Sequence, residues 1–147
     1  MELPESISFI VEWRLIPDAP SDLAEFVMLV RAENKDMMKE AGFLNPIRWL
    51  NYFGRARLGA KTGLKHLYLT YEYAVEKEPG EWIEEKRTIE IKSDNADMTI
   101  GELLFHIQHQ TGPELIDEDY FYFPEEIHRL DQGFRDGIPT YELFLGT

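Results

Sequence analysis

The chain contains no cysteine. Disulfide bridges, thiolate metal sites and cysteine nucleophiles are therefore excluded, and packing alone must stabilise the fold. No apolar run reaches the roughly 18 residues that a membrane-spanning helix needs. The first residues, MELPESISF, also lack the basic stretch and apolar run of a signal peptide. These features predict a cytoplasmic protein that does not bind membranes.

The common catalytic and nucleotide-binding motifs are absent as well. The sequence has no G-x-S-x-G nucleophile elbow, no P-loop and no dinucleotide-binding glycine pattern. His66 and His128 could form an acid–base pair, but nothing near either residue supports that role. These absences favour a binding protein over an enzyme, without excluding catalysis.

Aromatic residues, in contrast, are abundant. The 147 residues include nine Phe, seven Tyr and three Trp, and 44% of the chain is hydrophobic. A chain of this length and composition can form one core, and its aromatic content argues against disorder despite a net charge of −13. We expect one domain spanning residues 1–147, with no linker or repeat.

Charge is distributed unevenly along the chain. Residues 41–71 contain five basic and no acidic residues, whereas residues 93–147 contain twelve acidic and two basic residues. An acidic surface repels nucleic acid and accelerates association with basic partners. The basic segment also carries aromatic residues that could stack on single-stranded nucleic acid, but the rest of the chain opposes a polyanion. We expect the basic segment to pair with the acidic region of its own chain or of a second copy in a homodimer.

Hydrophobic periodicity predicts the elements in the order β-α-α-β-β-α-β-β. Strands are predicted where apolar residues alternate, at residues 6–16, 67–75, 83–91, 120–123 and 141–145. Helices are predicted from Ser21 to Gly42, from Pro46 to about Leu58 and from Thr99 to about Thr111. Strands that arrive in adjacent pairs predict a mostly antiparallel sheet of about five strands, packed against about three helices. The expected fold class is therefore α+β.

The segment PELIDEDYFYFPEE, residues 113–126, combines six carboxylates with four consecutive aromatic rings. In a strand, Tyr120 and Tyr122 would share one side and Phe121 and Phe123 the other. With the phenylalanines buried, the tyrosines and their acidic neighbours would form an exposed face for an Arg- or Lys-rich partner. Alternatively, both ring pairs are buried and the carboxylates only maintain solubility. The predicted face comprises Asp117, Glu118, Asp119, Tyr120, Tyr122, Glu125 and Glu126, with Glu114 and Asp131 at its rim.

The predicted third helix has the spacing of a metal site. Glu102, His106 and His109 occur at i, i+4 and i+7, which places three potential ligands for zinc, iron or manganese on one helix face. Asp117 or Asp119 could complete such a site. The alternative is an ordinary polar helix face, in which Glu102 forms a capping box with Thr99. No other cofactor is indicated.

The sequence predicts a small acidic protein that binds a basic protein partner and inhibits it by covering its functional surface. In size, charge and lack of catalytic motifs the chain is similar to bacterial immunity proteins, which neutralise toxins, although no residues are matched. Two alternatives remain open. One is a metal-dependent enzyme or metal-binding protein centred on Glu102, His106 and His109, and the other is a homo-oligomeric structural or assembly subunit.

Overall fold

A five-stranded sheet and two helices form the described part of the fold. The computed structural model describes residues 3–9, 13–40, 58–95, 97–116 and 122–146. The elements are β1 (Ser6–Ser8), α1 (Leu23–Glu40), β2 (His66–Glu78), β3 (Glu81–Lys92), α2 (Ile100–Leu115), β4 (Phe123–Arg129) and β5 (Thr140–Gly146). The α+β class is confirmed, while the helix predicted to begin at Pro46 lies outside the described residues.

The strands are arranged in the order β1-β4-β5-β2-β3. Three of the four pairings are antiparallel, but β2 and β5 run parallel, with Leu69 opposite Tyr141. The sheet is therefore mixed, and the expected mostly antiparallel arrangement is matched in part. The chain leaves β3 at one edge and re-enters the sheet at β4, so that the returning strand β5 lies beside β2 in the parallel direction. Alternation within single strands carries no information about such a pairing.

The predicted hairpin is confirmed as the longest pairing in the sheet. Strands β2 and β3 pair from His66 and Lys92 to Glu78 and Glu81, and Pro79 and Gly80 form the turn. Gly80 has a φ of +85°, a conformation that residues with a Cβ rarely adopt. Beyond Tyr71 most hairpin side chains are partly or fully exposed, so the hairpin extends past the core as an arm.

The first predicted strand is shorter than its alternation suggests. Only Ser6–Ser8 pairs with β4 as a strand. Nevertheless Ile7, Phe9, Trp13 and Leu15 are all buried, as the pattern requires. Backbone hydrogen bonds from Phe9 to Glu125 and from Leu15 to Tyr122 keep this segment beside the sheet.

The last two strands differ in how well they were predicted. Half of the strand predicted at residues 120–123 lies outside the described residues; of the rest, Tyr122 is not in a strand, and β4 begins at Phe123 and continues to Arg129. Its sequence FPEEIHR gives little alternation because a bulge lies between Pro124 and Glu126. The strand predicted at residues 141–145 is confirmed within β5.

The cap of helix α1 lies one residue later than predicted. Asp22, rather than Ser21, caps the helix, because its Oδ2 accepts a hydrogen bond from the backbone N–H of Glu25 at 3.1 Å. Phe26 and Val30 are fully buried, and Asn34 continues the same buried stripe. The predicted end at Gly42 lies outside the described residues.

Helix α2 has the predicted cap but not the predicted end. The hydroxyl of Thr99 accepts a hydrogen bond from the backbone N–H of Glu102 at 3.1 Å. The helix then continues through Gly112 and Pro113 to Leu115. Gly112 is buried, and a Cβ there would lie 3.2 Å from Ile116, so this glycine permits close packing instead of ending the helix.

One core lies between the helices and one face of the sheet. It contains the inward side chains of the strands, including Leu67, Leu69, Ile91, Ile127 and Tyr141, packed with helix residues such as Phe26, Val30, Leu103, Leu104 and Ile107. In the described residues, no helix is long and apolar enough to cross a membrane.

Candidate binding face

The other face of the sheet faces away from the core, and we call it the open face. Strand pairing keeps opposite residues on the same side, so this face is defined by the even-numbered positions of the paired strands. It consists of Ser6, Ser8, His66, Tyr68, Thr70, Glu72, Ala74, Glu76, Trp82, Glu84, Lys86, Thr88, Glu90, Lys92, Glu126, His128, Thr140, Glu142 and Phe144. Thr70 and Thr140 are buried, and Arg135 lies over the ring of Tyr68 at 5.1 Å.

Carboxylates dominate the open face. Six glutamates lie there against two lysines, Lys86 and Lys92. The glutamates are Glu72, Glu76, Glu84, Glu90, Glu126 and Glu142. Trp82 and Phe144 add large rings, each with 40% of its surface exposed. Exposed rings among charged groups of one sign are typical of surfaces that bind a partner of opposite charge.

Two histidines pair with glutamates on this face. His66 Nε2 lies 2.7 Å from Glu90 Oε2, and His128 Nε2 lies 3.2 Å from Glu126 Oε1. The hydrogen bond from His66 is the main reason that the pKa of Glu90 lies below its ordinary value of 4.5. The ring of His128 also packs edge-on against Phe144, with centroids 4.9 Å apart. The hydrogen bond from His66 therefore positions Glu90, whereas His128 lies close to Glu126 without making a hydrogen bond to it.

The acidic face predicted from residues 117–126 is only partly described. Asp117, Glu118, Asp119 and Tyr120 lie outside the described residues, as does Phe121. Tyr122 is described, but it is partly buried against the core, and its hydroxyl accepts a hydrogen bond from the backbone N–H of Ala74 at 3.3 Å. Tyr122 is therefore a packing residue instead of an outward-facing ring.

The glutamates that follow Tyr122 occupy different positions. Glu125 is exposed at the bulge of β4, and Glu126 lies on the open face opposite Phe144. At the proposed rim, Asp131 is exposed, while the side chain of Glu114 lies outside the described part of the chain. Glu126 is thus the one residue of the predicted face that the structure also places among the carboxylates of the open face.

A cleft of about 230 Å³ lies at the start of α2, and its lining includes Lys92 of the open face. Glu102 lies beside this cleft and is only 6% exposed, so the predicted wet helix face is wrong at this position. Its carboxylate accepts hydrogen bonds from the hydroxyl of Ser93 and, at 2.8 Å, from the amide of Asn95. The predicted capping box is therefore only half formed. Thr99 caps the helix, but the side chain of Glu102 binds Ser93 and Asn95, in the segment between β3 and α2.

Electrostatics keep Glu102 ionised in its buried position. Burial by itself raises the pKa of this carboxyl, but the hydrogen bonds from Ser93 and Asn95 and the nearby His106 outweigh burial. The pKa of Glu102 therefore lies below its ordinary value of 4.5. His106 Nε2 is 3.5 Å from the same carboxylate oxygen that Ser93 contacts. Ser93 thus donates to Glu102 and not to the imidazole, which is not the order of a nucleophilic triad.

The three predicted metal ligands are not used together. His109 is turned away from Glu102, since its Nε2 lies 2.8 Å from the backbone oxygen of Pro20. Its ring packs against Phe105 with centroids 4.6 Å apart. Across the residues that the structure describes, no three His, Asp or Glu side chains are grouped so as to hold a metal ion.

The sequence-based prediction missed most of the open face because it compared the net charge of long segments and not the side on which each strand residue lies. Every second residue of EWIEEKRTIEIK, starting from Trp82, lies on the open face and is charged except for Trp82 and Thr88. The sequence shows this alternation only in part: Ile83, Ile89 and Ile91 occupy the other half of the pattern, but Glu81, Glu85 and Arg87 interrupt it.

Comparison of the chain with protein-family models, with curated proteins and with solved structures finds no match.

Proposed function

We propose that this protein is a small acidic binding protein whose open face covers a basic surface of a macromolecular partner and so inhibits it. The observation that supports the proposal is the composition of the open face, where six glutamates and two exposed rings lie beside two lysines and Arg135. A bacterial toxin neutralised by an immunity protein is one such pair. The cytoplasm is the proposed location for this encounter.

Charge of this kind acts mainly on the rate of association. A net charge of −13 attracts a basic partner over long range, and the attraction weakens as salt screens it. The exposed rings of Trp82 and Phe144 would then supply short-range contact area. We therefore expect fast, salt-dependent association and a complex that persists through contacts of the rings.

The test begins with capture of the basic partner from a lysate of the source organism, followed by association kinetics. The open-face variant is Glu72→Gln/Glu142→Gln. Its matched control is Glu33→Gln/Asp36→Asn on the exposed side of α1, which removes the same charge away from the sheet. We expect the open-face variant to associate several times more slowly and with a weaker salt dependence than the control.

Two outcomes contradict the proposal. If both variants associate at the same reduced rate, only net charge matters and the open face is not the binding surface. If neither variant changes the rate, charge does not guide the encounter. A third variant, Asp117→Asn/Glu118→Gln/Asp119→Asn, tests whether the acidic segment predicted from the sequence belongs to the same surface.

A further inference from the structure

Within the described residues, strand β3 forms one edge of the sheet. It lies last in the strand order and spans 12 residues, from Glu81 to Lys92. Edge strands expose backbone groups, and proteins usually protect them by making them short, by interrupting them with proline or a bulge, or by placing charged side chains on them. Strand β3 is long and contains no proline, but it carries charged side chains of both signs, so the charges decide which pairing registers are favourable. A long accessible edge of this kind is suited to pairing with another strand.

We propose that β3 pairs with β3 of a second copy in the antiparallel direction, with Thr88 on the two-fold axis. An axis perpendicular to the sheet keeps the two open faces on the same side, and residues equally distant from Thr88 then lie opposite each other. The pairing joins residues 84–92 of both chains into one continuous sheet. This proposal does not depend on the function proposed above.

Charge complementarity supports this particular register. On the open face, Lys86 lies opposite Glu90 of the second copy, and Glu84 lies opposite Lys92 of the second copy. The two-fold axis generates each of these pairs twice. Opposite charges that face each other across two strands stabilise a sheet, whereas like charges destabilise it. On the other face, the aliphatic part of the Glu85 side chain lies opposite Ile91 of the second copy. The aliphatic part of the Arg87 side chain lies opposite Ile89 of the second copy.

Neighbouring registers lack this complementarity. An axis at residue 85, 86, 87 or 90 places a charged residue opposite its own copy, namely Glu85, Lys86, Arg87 or Glu90. An axis at Ile89 places Lys86 opposite Lys92. Thr88 is therefore the one centre from residue 85 to residue 90 that brings no like charges together.

A cysteine at the axis tests the pairing directly, because the natural chain contains none. Opposite residues of an antiparallel pair have Cβ atoms about 4.5–5.5 Å apart, and a disulfide bond joins Cβ atoms about 3.5–4.5 Å apart, so a small approach of the two strands suffices to join the cysteines. We expect Thr88→Cys to form a covalent dimer under mild oxidation. The control Lys77→Cys, exposed near the turn on β2, should remain mostly monomeric. Cross-linking of Thr88→Cys that is no faster than that of the control overturns the proposal.

A charge exchange tests the register. Lys86→Glu places glutamate opposite Glu90 twice, and we expect the dimer dissociation constant to rise at least about tenfold at low salt. The double variant Lys86→Glu/Glu90→Lys restores opposite charges and should restore the dimer. Lys77→Glu is the matched control, since it makes the same change of charge outside the paired residues.

Sedimentation velocity over a range of concentrations measures the dissociation constants, and circular dichroism checks that each variant is folded. Dimer formation by the wild type and the double variant, with loss in Lys86→Glu alone, supports the proposed register. A wild-type protein that stays monomeric at every concentration overturns the pairing. A double variant as weak as Lys86→Glu overturns the register.

Discussion

The imidazole of His66 lies 2.7 Å from the carboxylate of Glu90, across strands β2 and β3 of the open face. This hydrogen bond is the largest cause of the lowered pKa of Glu90, and we expect His66→Gln to raise that pKa towards 4.5. Because the pKa is lowered on folding, the stabilisation from Glu90 is present above its unfolded pKa and is lost as pH falls through its folded pKa.

Carboxyl-resolved NMR titration measures this pKa in both proteins. The control is His109→Gln, which removes an imidazole from α2 and should leave the titration of Glu90 unchanged. An unaltered Glu90 titration in His66→Gln contradicts the assigned cause.

Glu102 connects α2 to the loop after β3, so its removal should destabilise the fold. In Glu102→Ala the hydroxyl of Ser93 and the amide of Asn95 lose their acceptor, and we expect the free energy of unfolding to fall by about 2 kcal/mol. The lowered pKa of Glu102 means that wild type loses this contribution as pH falls below about 4.5, and Glu102→Gln should lack that part of the acid dependence.

Urea unfolding at neutral and acid pH tests both statements. Glu33→Ala, at an exposed position of α1, is the control and should change stability by no more than about 0.5 kcal/mol. Equal losses in the two alanine variants would show that the contacts of Glu102 contribute nothing.

Gln108 is a buried side chain that binds the segment before α1 to α2. Its Oε1 accepts a hydrogen bond from Trp13 Nε1 at 2.8 Å, and its Nε2 donates to the backbone oxygen of Ile16 at 2.8 Å. Gln108→Leu leaves the indole N–H buried without this acceptor, so we expect a loss of about 3 kcal/mol. Denaturant unfolding followed by tryptophan fluorescence measures the loss, with the exposed Gln110→Leu as control. A loss no larger than that of the control refutes this role.

Tyr141 predicts a specific dependence of stability on alkaline pH. Burial raises the pKa of Tyr141 to about 12, and its hydroxyl donates a hydrogen bond to the backbone oxygen of Pro4 at 2.5 Å. A raised pKa contributes stability below the unfolded value of 10.0, and this stability is lost as pH rises through about 12. This shift of the pKa from 10.0 to about 12 contributes about 2–3 kcal/mol to the free energy of unfolding.

Tyr141→Phe should therefore lose about 1 kcal/mol at neutral pH through the missing hydrogen bond. Its stability should then fall less steeply than that of wild type above pH 10.0. Chemical unfolding at several alkaline pH values measures both slopes. Parallel slopes would show that Tyr141 does not titrate with unfolding.

Local chemistry explains which elements the sequence predicted. The cap at Thr99, the hairpin turn at Pro79 and Gly80, and the burial of Ile7, Phe9, Trp13 and Leu15 each depend on neighbouring residues alone. Their signals are therefore readable in one sequence. Gly112 misled the prediction because glycine also serves close packing, and only the position of Ile116 distinguishes the two uses.

Predicting the open face required knowledge of strand pairing. Glu72, Glu90 and Glu142 are distant in sequence, and they share a surface only because β2 lies between β3 and β5. Likewise, the helical spacing of Glu102, His106 and His109 does not reveal that Pro20 and Asn95 bind two of these side chains. The pairing of β2 with β5 and the contact of His109 with Pro20 join residues far apart in the chain, and one sequence does not display such contacts.

Strand β5 is the last of the described strands in chain order, yet it lies in the middle of the sheet, between β4 and β2. During synthesis, the β2–β3 hairpin can form as soon as it leaves the ribosome, but β4 and β1 have no strand to join them to it until residues 140–146 emerge. Until β5 has emerged, Leu69 of β2 lacks its pairing partner Tyr141, and Ile127 of β4 lacks its pairing partner Leu143. Folding of the complete sheet must therefore wait for the C-terminal strand, and the growing chain exposes apolar surface that chaperones can bind.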